Sequence, residues 1–559
     1  MNRKNHHRPW PILLIGGLAF STLGFIVGQR AGEITPPVID AAADLIGLSF
    51  SPAEKDSMIA TLENQRNNFE TLRKTKLENS VAPSLIFNPL PQGFYPSQDQ
   101  KSFDWGLPSQ VDLPEKESDI AYLPVSHLSV LIKNKQISSE RLTQIYLDRI
   151  KTYSDTLQCL VSLLEESAIA KAKQMDQEIA AGNYRGPLHG IPYGIKDLLA
   201  VPDTKTTWGA MPYKDQVINE TATVVQKLED AGGVLVGKFT LGALAMGDVW
   251  FGGVTKNPWN LKQGSSGSSA GSASAVSAGL VPFAIGTETL GSIVSPSTRN
   301  GVTGLRPTYG RVSKHGAMAL SWSMDKIGPI SRSTLDNAIV LSIINGMDEK
   351  DASTIPAAFN YSAKNDVKKL KVGYFKPFFE GNRPNIQNDQ AVLAVLKNQG
   401  IELHPLELKT TINAGPIVNM LLVEGAAAFD ELTRLDLDDQ LVAQNRNAWP
   451  NIFRAARFIP AVEYVQMSRQ RSLLIEEMHD LLKEYDVIVT PSFAGQQLQI
   501  TNLTGHPALC LPNGFTDNGS PTSITLLANL FDEEKLIMLG RLIQENTDWQ
   551  AKRPPLFDK

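Results

Sequence analysis

Hydrophobic positions in this chain follow a helical period in some segments and form short continuous runs in others. After Ser139 and Glu140 in the sequence, apolar residues recur at spacings of three and four: Leu142, Ile145, Tyr146 and Ile150. This spacing places them on one face of a helix, and a serine followed by glutamate is typical of a helix N-terminus. Farther along, the apolar run 234–236 follows two glycines and predicts a short buried strand.

The two patterns alternate from about residue 123 to the end of the chain. Helices that alternate with short Val- and Ile-rich strands indicate an α/β layer architecture with a largely buried sheet. Glycines and serine N-caps mark several of the boundaries, as at Gly182. The clearest predicted elements are helices over 164–181, 223–231 and 469–485, and a strand over 486–490.

Residues 31–122 are predicted to form an N-terminal extension, partly helical and partly extended, that packs on the body. Ser51, Pro52 and Glu54 predict a helix start, with Ser51 as the N-cap and Pro52 at the first helical position. This helix is expected to run to about residue 76. The stretch 82–98 is rich in proline and apolar residues, and we expect an extended strap because those apolar groups are costly to leave in water.

The first 30 residues combine a basic start with an uncharged apolar run. Arg3, Lys4 and Arg8 precede residues 10–28, which carry no charged side chain. This pattern is typical of a secretory signal peptide or an uncleaved signal anchor, and the sequence leaves both open. A buried N-terminal helix is the competing interpretation, but it leaves the basic flank unexplained. We therefore expect an exported protein, periplasmic or extracellular, with N-terminal membrane anchoring if the segment is retained.

The composition is that of an ordinary globular protein and argues against several functional classes. The 559 residues include 53 Lys and Arg against 58 Asp and Glu, a net charge of −5. Without an excess of positive charge to neutralise phosphates, no nucleic-acid partner is expected. Cys159 and Cys510 are the two cysteines, and no CxxC, P-loop, GxGxxG or HExxH pattern occurs, so neither metal nor cofactor is expected. Whether the cysteines pair is left open.

The Gly- and Ser-rich segment 264–274 allows two interpretations that we set aside. A flexible linker is one, but the apolar residues that follow directly make the segment part of a core element. The other is a G-x-S-x-G nucleophile elbow, which Gly267 to Gly271 match with Ser269 at the centre. That elbow requires a hydrophobic strand immediately before it. Because residues 257–263 are predicted to form a loop, Ser269 is not assigned as a nucleophile.

Ser292 is a stronger candidate nucleophile, because it follows a predicted strand and a tight turn at Gly291. Such a turn can aim consecutive backbone N–H groups at one point, as an oxyanion requires. A serine hydroxyl needs a base at neutral pH, and Lys196 is the candidate base. A lysine can act in this way only if burial lowers its pKa from about 10.4 towards neutrality. Apolar neighbours such as Ile195 and Leu198 predict that burial.

The segment from Gly264 to Gly310, which begins GSSGSSAGSASAVSAG, and the loop GPLHGIPYGIKD at 186–197 carry a family resemblance. Together they resemble the amidase signature family, serine hydrolases that cleave carboxylic amides with a Ser–Ser–Lys triad. The resemblance implies that Ser292 attacks the amide and that Ser268, 24 positions earlier, relays a proton to Lys196. It implies a cis Gly267–Ser268 peptide bond. It also implies an oxyanion hole made by backbone amides of the turn: Thr289, Leu290, Gly291 and Ser292.

The implied fold is a single large domain over 123–559, in which a mixed β-sheet lies between helices. The implied function is hydrolysis of the C–N bond of a small-molecule amide. Two alternatives stay open: the glutamine-hydrolysing subunit of a tRNA-dependent amidotransferase, and a catalytically inactive binding protein of the same fold. The sequence also leaves a homodimer open.

Two positions depart from the family pattern, which has glycine where this chain has Leu290 and arginine where it has Val294. Leu290 keeps the backbone N–H donors of the turn, but its side chain adds an apolar wall beside them. Val294 lacks the positive charge of the arginine that the family pattern has at this position. Neither change removes a catalytic atom. The substrate is not determined by these motifs, and we expect the walls of its pocket in two variable ranges, 239–251 and 411–460.

Overall fold

The computed structural model describes residues 32–559 of the chain. The predicted signal segment and its apolar run at 10–28 lie outside the described residues. Within residues 32–559, no helix combines the length and the apolar composition needed to cross a bilayer. Cys159 and Cys510 are both buried and free, so they form no disulfide with each other.

The chain divides into two compact units, of which the first ends at Glu78. In its described part, this unit contains the helices Pro36–Leu45 and Pro52–Leu72. The second helix begins as predicted, because the Ser51 side chain accepts the Glu54 amide and the Glu54 carboxylate accepts the Ser51 amide. Lys55 and Asp40 join the two helices through an ion pair of 2.8 Å.

The second unit comprises Asn79–Lys559 and holds the predicted α/β body. Two of its helices begin at serine caps: Ser138 accepts the Arg141 amide, and Ser333 accepts the Asp336 amide. The helices are Glu117–Ala121, Val125–Lys133, Ser139–Leu157, Glu165–Ala180, Thr223–Asp230, Ala270–Ser277, Val294–Asn300, Thr334–Ile344, Ile386–Asn398, Ala414–Ile417, Asn419–Ala428, Asp430–Arg434, Trp449–Ala456, Ala461–Leu482, Gln497–Thr504 and Glu533–Glu545.

The strands of this unit are short, and most are apolar. They are β1 Leu160–Leu163, β2 Pro192–Lys196, β3 Val234–Phe239, β4 Val249–Trp250, β5 Gly253–Val254, β6 Lys256–Asn257, β7 Asn260–Gly264, β8 Phe283–Glu288, β9 Thr303–Arg306, β10 Lys326–Ser331, β11 Val372–Phe375, β12 Leu403–Leu406, β13 Val487–Pro491, β14 Ala508–Phe515 and β15 Pro521–Leu527.

Eleven of the strands in residues 32–559 form one mixed sheet, in the order β1-β3-β2-β8-β10-β9-β14-β15-β13-β11-β12. β2 runs parallel to both β3 and β8, and β11 runs parallel to β12 and β13. The other neighbours in the sheet are antiparallel. The predicted fold class, α/β with a mixed sheet between helices, is therefore confirmed.

Neighbouring residues of one strand belong to different apolar clusters, because successive side chains of a strand point to opposite faces. Phe283 and Ile285 of β8 lie in one cluster, whereas Ala284 lies in the other. The second cluster contains side chains of the helix Ala270–Ser277, every residue of which is buried. The sheet thus has an apolar layer on each face.

Residues 79–104, named the strap from here on, contain no helix or sheet strand and run along the second unit. Asn79 accepts the Ala319 amide at 2.7 Å. Farther on, the guanidinium carbon of Arg471 lies 3.4 Å from the ring centroid of Phe87. These contacts attach the strap to the body.

One predicted loop is wrong. Residues 257–263 were expected to be irregular, but β7 pairs antiparallel with β6 in a small two-stranded sheet. β7 is polar and only partly buried, so it lacks the apolar alternation that announces a strand. Its polarity also means that the hydrophobic strand required before a nucleophile elbow at Ser269 is absent.

Candidate active site

Lys196 and Ser268 are in contact at the C-terminal end of strand β2. Lys196 is the last residue of β2, and Ser268 precedes the buried helix Ala270–Ser277. The Lys196 Nζ donates a hydrogen bond to Ser268 Oγ at 2.8 Å, and both side chains are fully buried. The Gly267–Ser268 peptide bond is cis, which confirms that prediction.

Two further hydroxyl groups surround the amine of Lys196. It donates to Thr287 Oγ1 at 2.8 Å and to Ser269 Oγ at 3.2 Å. The Ser269 hydroxyl also donates to the Thr287 carbonyl oxygen at 3.0 Å and accepts the Thr287 amide at 3.1 Å. Ser269 is therefore fully engaged in holding the end of β8, which is a structural contribution that the motif alone did not indicate.

Thr287 was also missed by sequence reasoning, although a signal for it exists. Ile195 of β2 pairs in parallel with Ile285 of β8. Parallel neighbours end at the same edge of a sheet, so the residue after the core of β8 comes close to the residue that ends β2. A correct pairing of the two strands would have placed Thr287 beside Lys196.

Burial controls the protonation of Lys196. The amine has hydroxyl and carbonyl partners but no carboxylate in contact. Burial lowers the pKa of Lys196 to about 7, against the opposing charges of Asp325 and Glu288. A neutral amine, which can accept a proton, is thus available near pH 7, as the sequence argument required.

The turn from Thr289 to Ser292 follows β8 and leads into the helix Val294–Asn300. Gly291 has φ +98°, a conformation that residues with a side chain rarely adopt. The Ser292 carbonyl oxygen accepts the Ser269 amide at 3.2 Å, which joins this turn to the segment that carries Ser268. Lys196 and Ser268 are buried, whereas Ser292 is partly exposed, as a group that meets a substrate must be.

Glu288 fixes the far side of the turn, and its side chain is fully buried. Its carboxylate accepts the amides of Ile293 and Val294 at 2.8 and 2.9 Å. It also accepts from Arg306 at 2.7 Å and from Asn502 at 2.8 Å. Burial alone would raise the pKa of Glu288, but the charge and hydrogen bond of Arg306, the Val294 amide and Asn502 lower it to about 2.

The two departures from the family pattern occupy different surroundings. Leu290 is half-buried and packs against the apolar core, so it forms a wall beside the turn as expected. Val294 is fully buried at the start of the helix Val294–Asn300. A buried positive charge is coupled to the turn through Glu288, whose carboxylate lies 2.7 Å from the guanidinium of Arg306.

A cavity of about 180 Å³ lies beside the segment that carries Ser268. The Gly247 carbonyl packs so closely on Gly267 that a Cβ on Gly267 would lie 1.9 Å from its oxygen. Both ranges expected to form pocket walls, 239–251 and 411–460, line this one cavity. The lining residues are Ala243, Met246, Gly247, Asp248, Val249, Leu441, Ala443, Asn445, Asn447, Ala448, Trp449 and Pro450.

The chain is similar to known proteins over most of its length. Residues 141–537 match the family model described as Amidase. A glutamyl-tRNA(Gln) amidotransferase subunit from Coxiella burnetii (strain Dugway 5J108-111) is 32% identical over 480 residues, which cover 77% of this chain and 99% of the relative.

Solved structures agree with this match. The native peptide amidase from Stenotrophomonas maltophilia superposes with a TM-score of 0.70 at 29% identity, covering 79% of this chain and 100% of that one. An amidase family protein from Bacillus anthracis str. Ames gives a TM-score of 0.71 at 25% identity, covering 79% and 93%. The chain therefore belongs to the amidase signature family, whose members are hydrolases that act on carbon–nitrogen amide bonds.

Proposed function

We propose that this amidase cleaves its substrate through an acyl-enzyme on Ser292, with Ser268 as proton relay and Lys196 as base. The observation that carries the proposal is the 2.8 Å contact between Lys196 Nζ and Ser268 Oγ. Both groups are buried, and burial lowers the pKa of the amine to about 7. A neutral amine in this position can accept the serine proton through a second hydroxyl.

The reaction then proceeds in two balanced halves. In the first, the Ser292 oxygen bonds to the amide carbonyl carbon while its proton passes through Ser268 to Lys196. The C–N bond breaks while the proton passes from Lys196 through Ser268 to the leaving nitrogen, which departs as ammonia or an amine. In the second half, water gives a proton through Ser268 to Lys196 while its oxygen bonds to the ester carbon. The C–O bond to Ser292 then breaks, the proton returns to the Ser292 oxygen, and a carboxylic acid leaves.

The backbone amides of Thr289, Leu290, Gly291 and Ser292 are proposed to stabilise the negative oxygen that forms in each half. One donor of this kind contributes about 10²- to 10³-fold to kcat in a well-studied serine hydrolase. The buried carboxylate of Glu288 supports the geometry of the turn by accepting the amides of Ile293 and Val294 just beyond it.

A serine-directed fluorophosphonate tests the assignment of the nucleophile. We expect Ser292→Ala to abolish covalent labelling and hydrolysis of simple amides. Ser269→Ala tests the other candidate nucleophile: it should keep the labelling, although at a lower rate, because the Ser269 hydroxyl also contacts the Lys196 amine. Labelling that survives in Ser292→Ala would end the assignment. An unmodified protein that is neither labelled nor active on amides would favour the inactive binding protein instead.

The similarity to a glutamyl-tRNA(Gln) amidotransferase subunit favours a second candidate function, hydrolysis of glutamine within a complex. Both candidates use the same proposed triad, so the site geometry does not separate them. Glutamine as a substrate, and partner subunits that co-purify with the full chain, would favour this second candidate. Activity of the purified chain alone on other amides would favour the first.

We also propose that the protein is exported and that residues 1–30 serve as its signal peptide or anchor. The support is the basic start at Arg3, Lys4 and Arg8, followed by the uncharged apolar residues 10–28. A cytoplasmic amidotransferase subunit has no use for such a segment, so localisation bears on the choice between the two functions.

A further inference from the structure

A carboxylate without a basic partner lines the cavity of about 180 Å³ beside the proposed active site. It belongs to Asp248, the residue that precedes β4. Its Oδ2 accepts the backbone N–H of Ser266 at 2.8 Å. Across residues 32–559, no lysine, arginine or histidine approaches this carboxylate within the 4.0 Å of an ion pair. Asp248 is partly exposed and lines the cavity, and the hydrogen bond given for its carboxylate comes from a backbone amide.

Asp248 also lies close to the proposed catalytic groups. Ser266 is two residues before Ser268, and two residues of extended chain span at most about 7 Å. The Ser266 hydroxyl shares a hydrogen bond of 2.8 Å with that of Ser295, whose amide donates to the Gly291 carbonyl oxygen at 2.8 Å. These hydrogen bonds connect Asp248, through Ser266 and Ser295, to the turn that carries Ser292.

The rest of the cavity is mostly apolar. Eight of its lining residues are apolar, whereas Asn445 and Asn447 supply polar groups at the exposed loop. A volume of about 180 Å³ corresponds to roughly six water molecules at about 30 Å³ each, which is room for a branched apolar side chain. An apolar pocket with one well-placed charged group fixes the orientation of its ligand. The apolar wall residues are Ala243, Met246, Val249, Leu441, Ala443, Ala448, Trp449 and Pro450.

We propose that Asp248 binds the free ammonium group of an amino-acid amide whose apolar side chain fills this cavity; the proposal rests on amide hydrolysis at Ser292. A carboxylate and an ammonium form a charge-assisted hydrogen bond, which is stronger than a neutral one. The α-amino group of such a substrate, with a pKa of about 7.7–8.0, carries its proton on most molecules at pH 7. Asp248 is then the residue that selects substrates with an unblocked amino group.

Two amides that differ only in the ammonium group test the proposal: leucinamide and 4-methylpentanamide. The unmodified enzyme should have the higher kcat/KM for leucinamide. Asp248→Asn keeps an oxygen that can accept the Ser266 amide but removes the charge, so the ratio of the two kcat/KM values should fall by about 10- to 100-fold, chiefly through KM for leucinamide. Asp517→Asn, which changes an exposed carboxylate in the β14–β15 connection, should leave the ratio as it was.

An equal loss for both amides in Asp248→Asn would overturn the proposal, because it would mean that Asp248 only holds the Ser266 segment. A second measurement needs no turnover: each amide is tested for protection of the unmodified protein against fluorophosphonate labelling. Leucinamide should protect at a lower concentration than 4-methylpentanamide, and equal protection overturns the proposal. Failure of the proposed function has a different signature, which is labelling that persists in Ser292→Ala.

Discussion

The proposed chemistry depends on the surroundings of a single amine. Lys196 is fully buried and is held by the hydroxyl groups of Ser268, Ser269 and Thr287. Hydroxyls stabilise an ammonium less than a carboxylate does, so desolvation dominates and favours the neutral amine. Burial without a counter-ion thus lowers the pKa of Lys196 to about 7, which the proposed role as a base requires.

The dependence of kcat/KM on pH should report this titration. Because Lys196 accepts a proton only when neutral, kcat/KM should rise with pH through about 7 and then level off. Lys196→Ala should lower activity at pH 7 by about 10²- to 10⁴-fold and recover part of it at high pH, where hydroxide can replace the base. The measurement is a pH–rate profile on a simple amide.

Lys262→Ala serves as the control, because this lysine is exposed and should leave the profile unchanged. A profile that is the same in Lys196→Ala as in the unmodified enzyme would rule out Lys196 as the base.

Motif spacing named the residues that are proposed to react, but not the residues that surround them. Ser268, Ser292 and Lys196 stand at fixed positions in a recognisable pattern, so they could be named from the sequence. Thr287 and Asp248 could not be named, because their closeness to the triad depends on strand pairing and on a turn between β3 and β4. Such contacts leave no local signal in hydrophobic periodicity.

At the scale of secondary-structure elements, one buried ion pair connects the strands and helices around the turn from Thr289 to Ser292. Arg306 of β9 contacts Glu288 of β8 at 2.7 Å, and both side chains are fully buried. Arg306 also donates to Thr501 Oγ1 and to the His506 carbonyl oxygen, at and just beyond the end of the helix Gln497–Thr504. This pair therefore connects two strands, that helix and the start of the helix Val294–Asn300.

Removing one partner of this ion pair should lower the stability of the folded protein. Arg306→Met leaves Glu288 as an uncompensated buried charge, and we expect the free energy of unfolding to fall by about 3–5 kcal/mol. Urea unfolding at pH 7 measures the change. Arg469→Met, on the exposed part of the helix Ala461–Leu482, should change it by less than about 0.5 kcal/mol.

The stabilisation by the Arg306–Glu288 pair should decrease at low pH. The pKa of Glu288 is lowered to about 2 in the folded protein, below the value of about 4.3 for an unfolded chain. The stability that the pair contributes is therefore complete above about pH 4.3 and is lost as the pH falls towards 2. A difference between Arg306→Met and the unmodified protein that stays constant from pH 7 to pH 2 would contradict this assignment.

Helices and strands with a clear pattern of apolar residues and caps could be predicted from the sequence, whereas the polar strand β7 could not. The helix Ser139–Leu157 and β3 follow from apolar spacing and capping residues. β7 was missed because it is polar and partly exposed, so its pairing with β6 rather than its own pattern makes it a strand. The network at Glu288 was missed because Asn502 comes from 214 residues away.

At the scale of the whole molecule, strand order assembles the site. β2 and β8 are far apart in sequence but adjacent and parallel in the sheet, so Lys196 and Thr287 arrive at one edge. The strap also contributes, because Ser80 and Ala82 line a cavity of about 300 Å³ that reaches Thr287 and Thr289. These strap residues lie outside the part matched by the family model, which begins at residue 141.

The proposed export signal predicts where the full chain is found. Cell fractionation should recover the full-length protein outside the cytoplasm or in the membrane fraction, and deletion of residues 1–30 should leave it in the cytoplasm. Substitution of Arg3, Lys4 and Arg8 by alanine should weaken export, since the basic start sets the orientation of the segment. A full-length chain found wholly in the cytoplasm would instead favour the amidotransferase function.

The most direct test of the mechanism is the location of the covalent adduct in the unmodified protein. After reaction with a fluorophosphonate, the protein is digested and the modified residue is identified by tandem mass spectrometry. The proposed mechanism predicts a single adduct on Ser292, with Ser268 and Ser269 unmodified. An adduct on Ser268 or Ser269, with Ser292 unmodified, would contradict it.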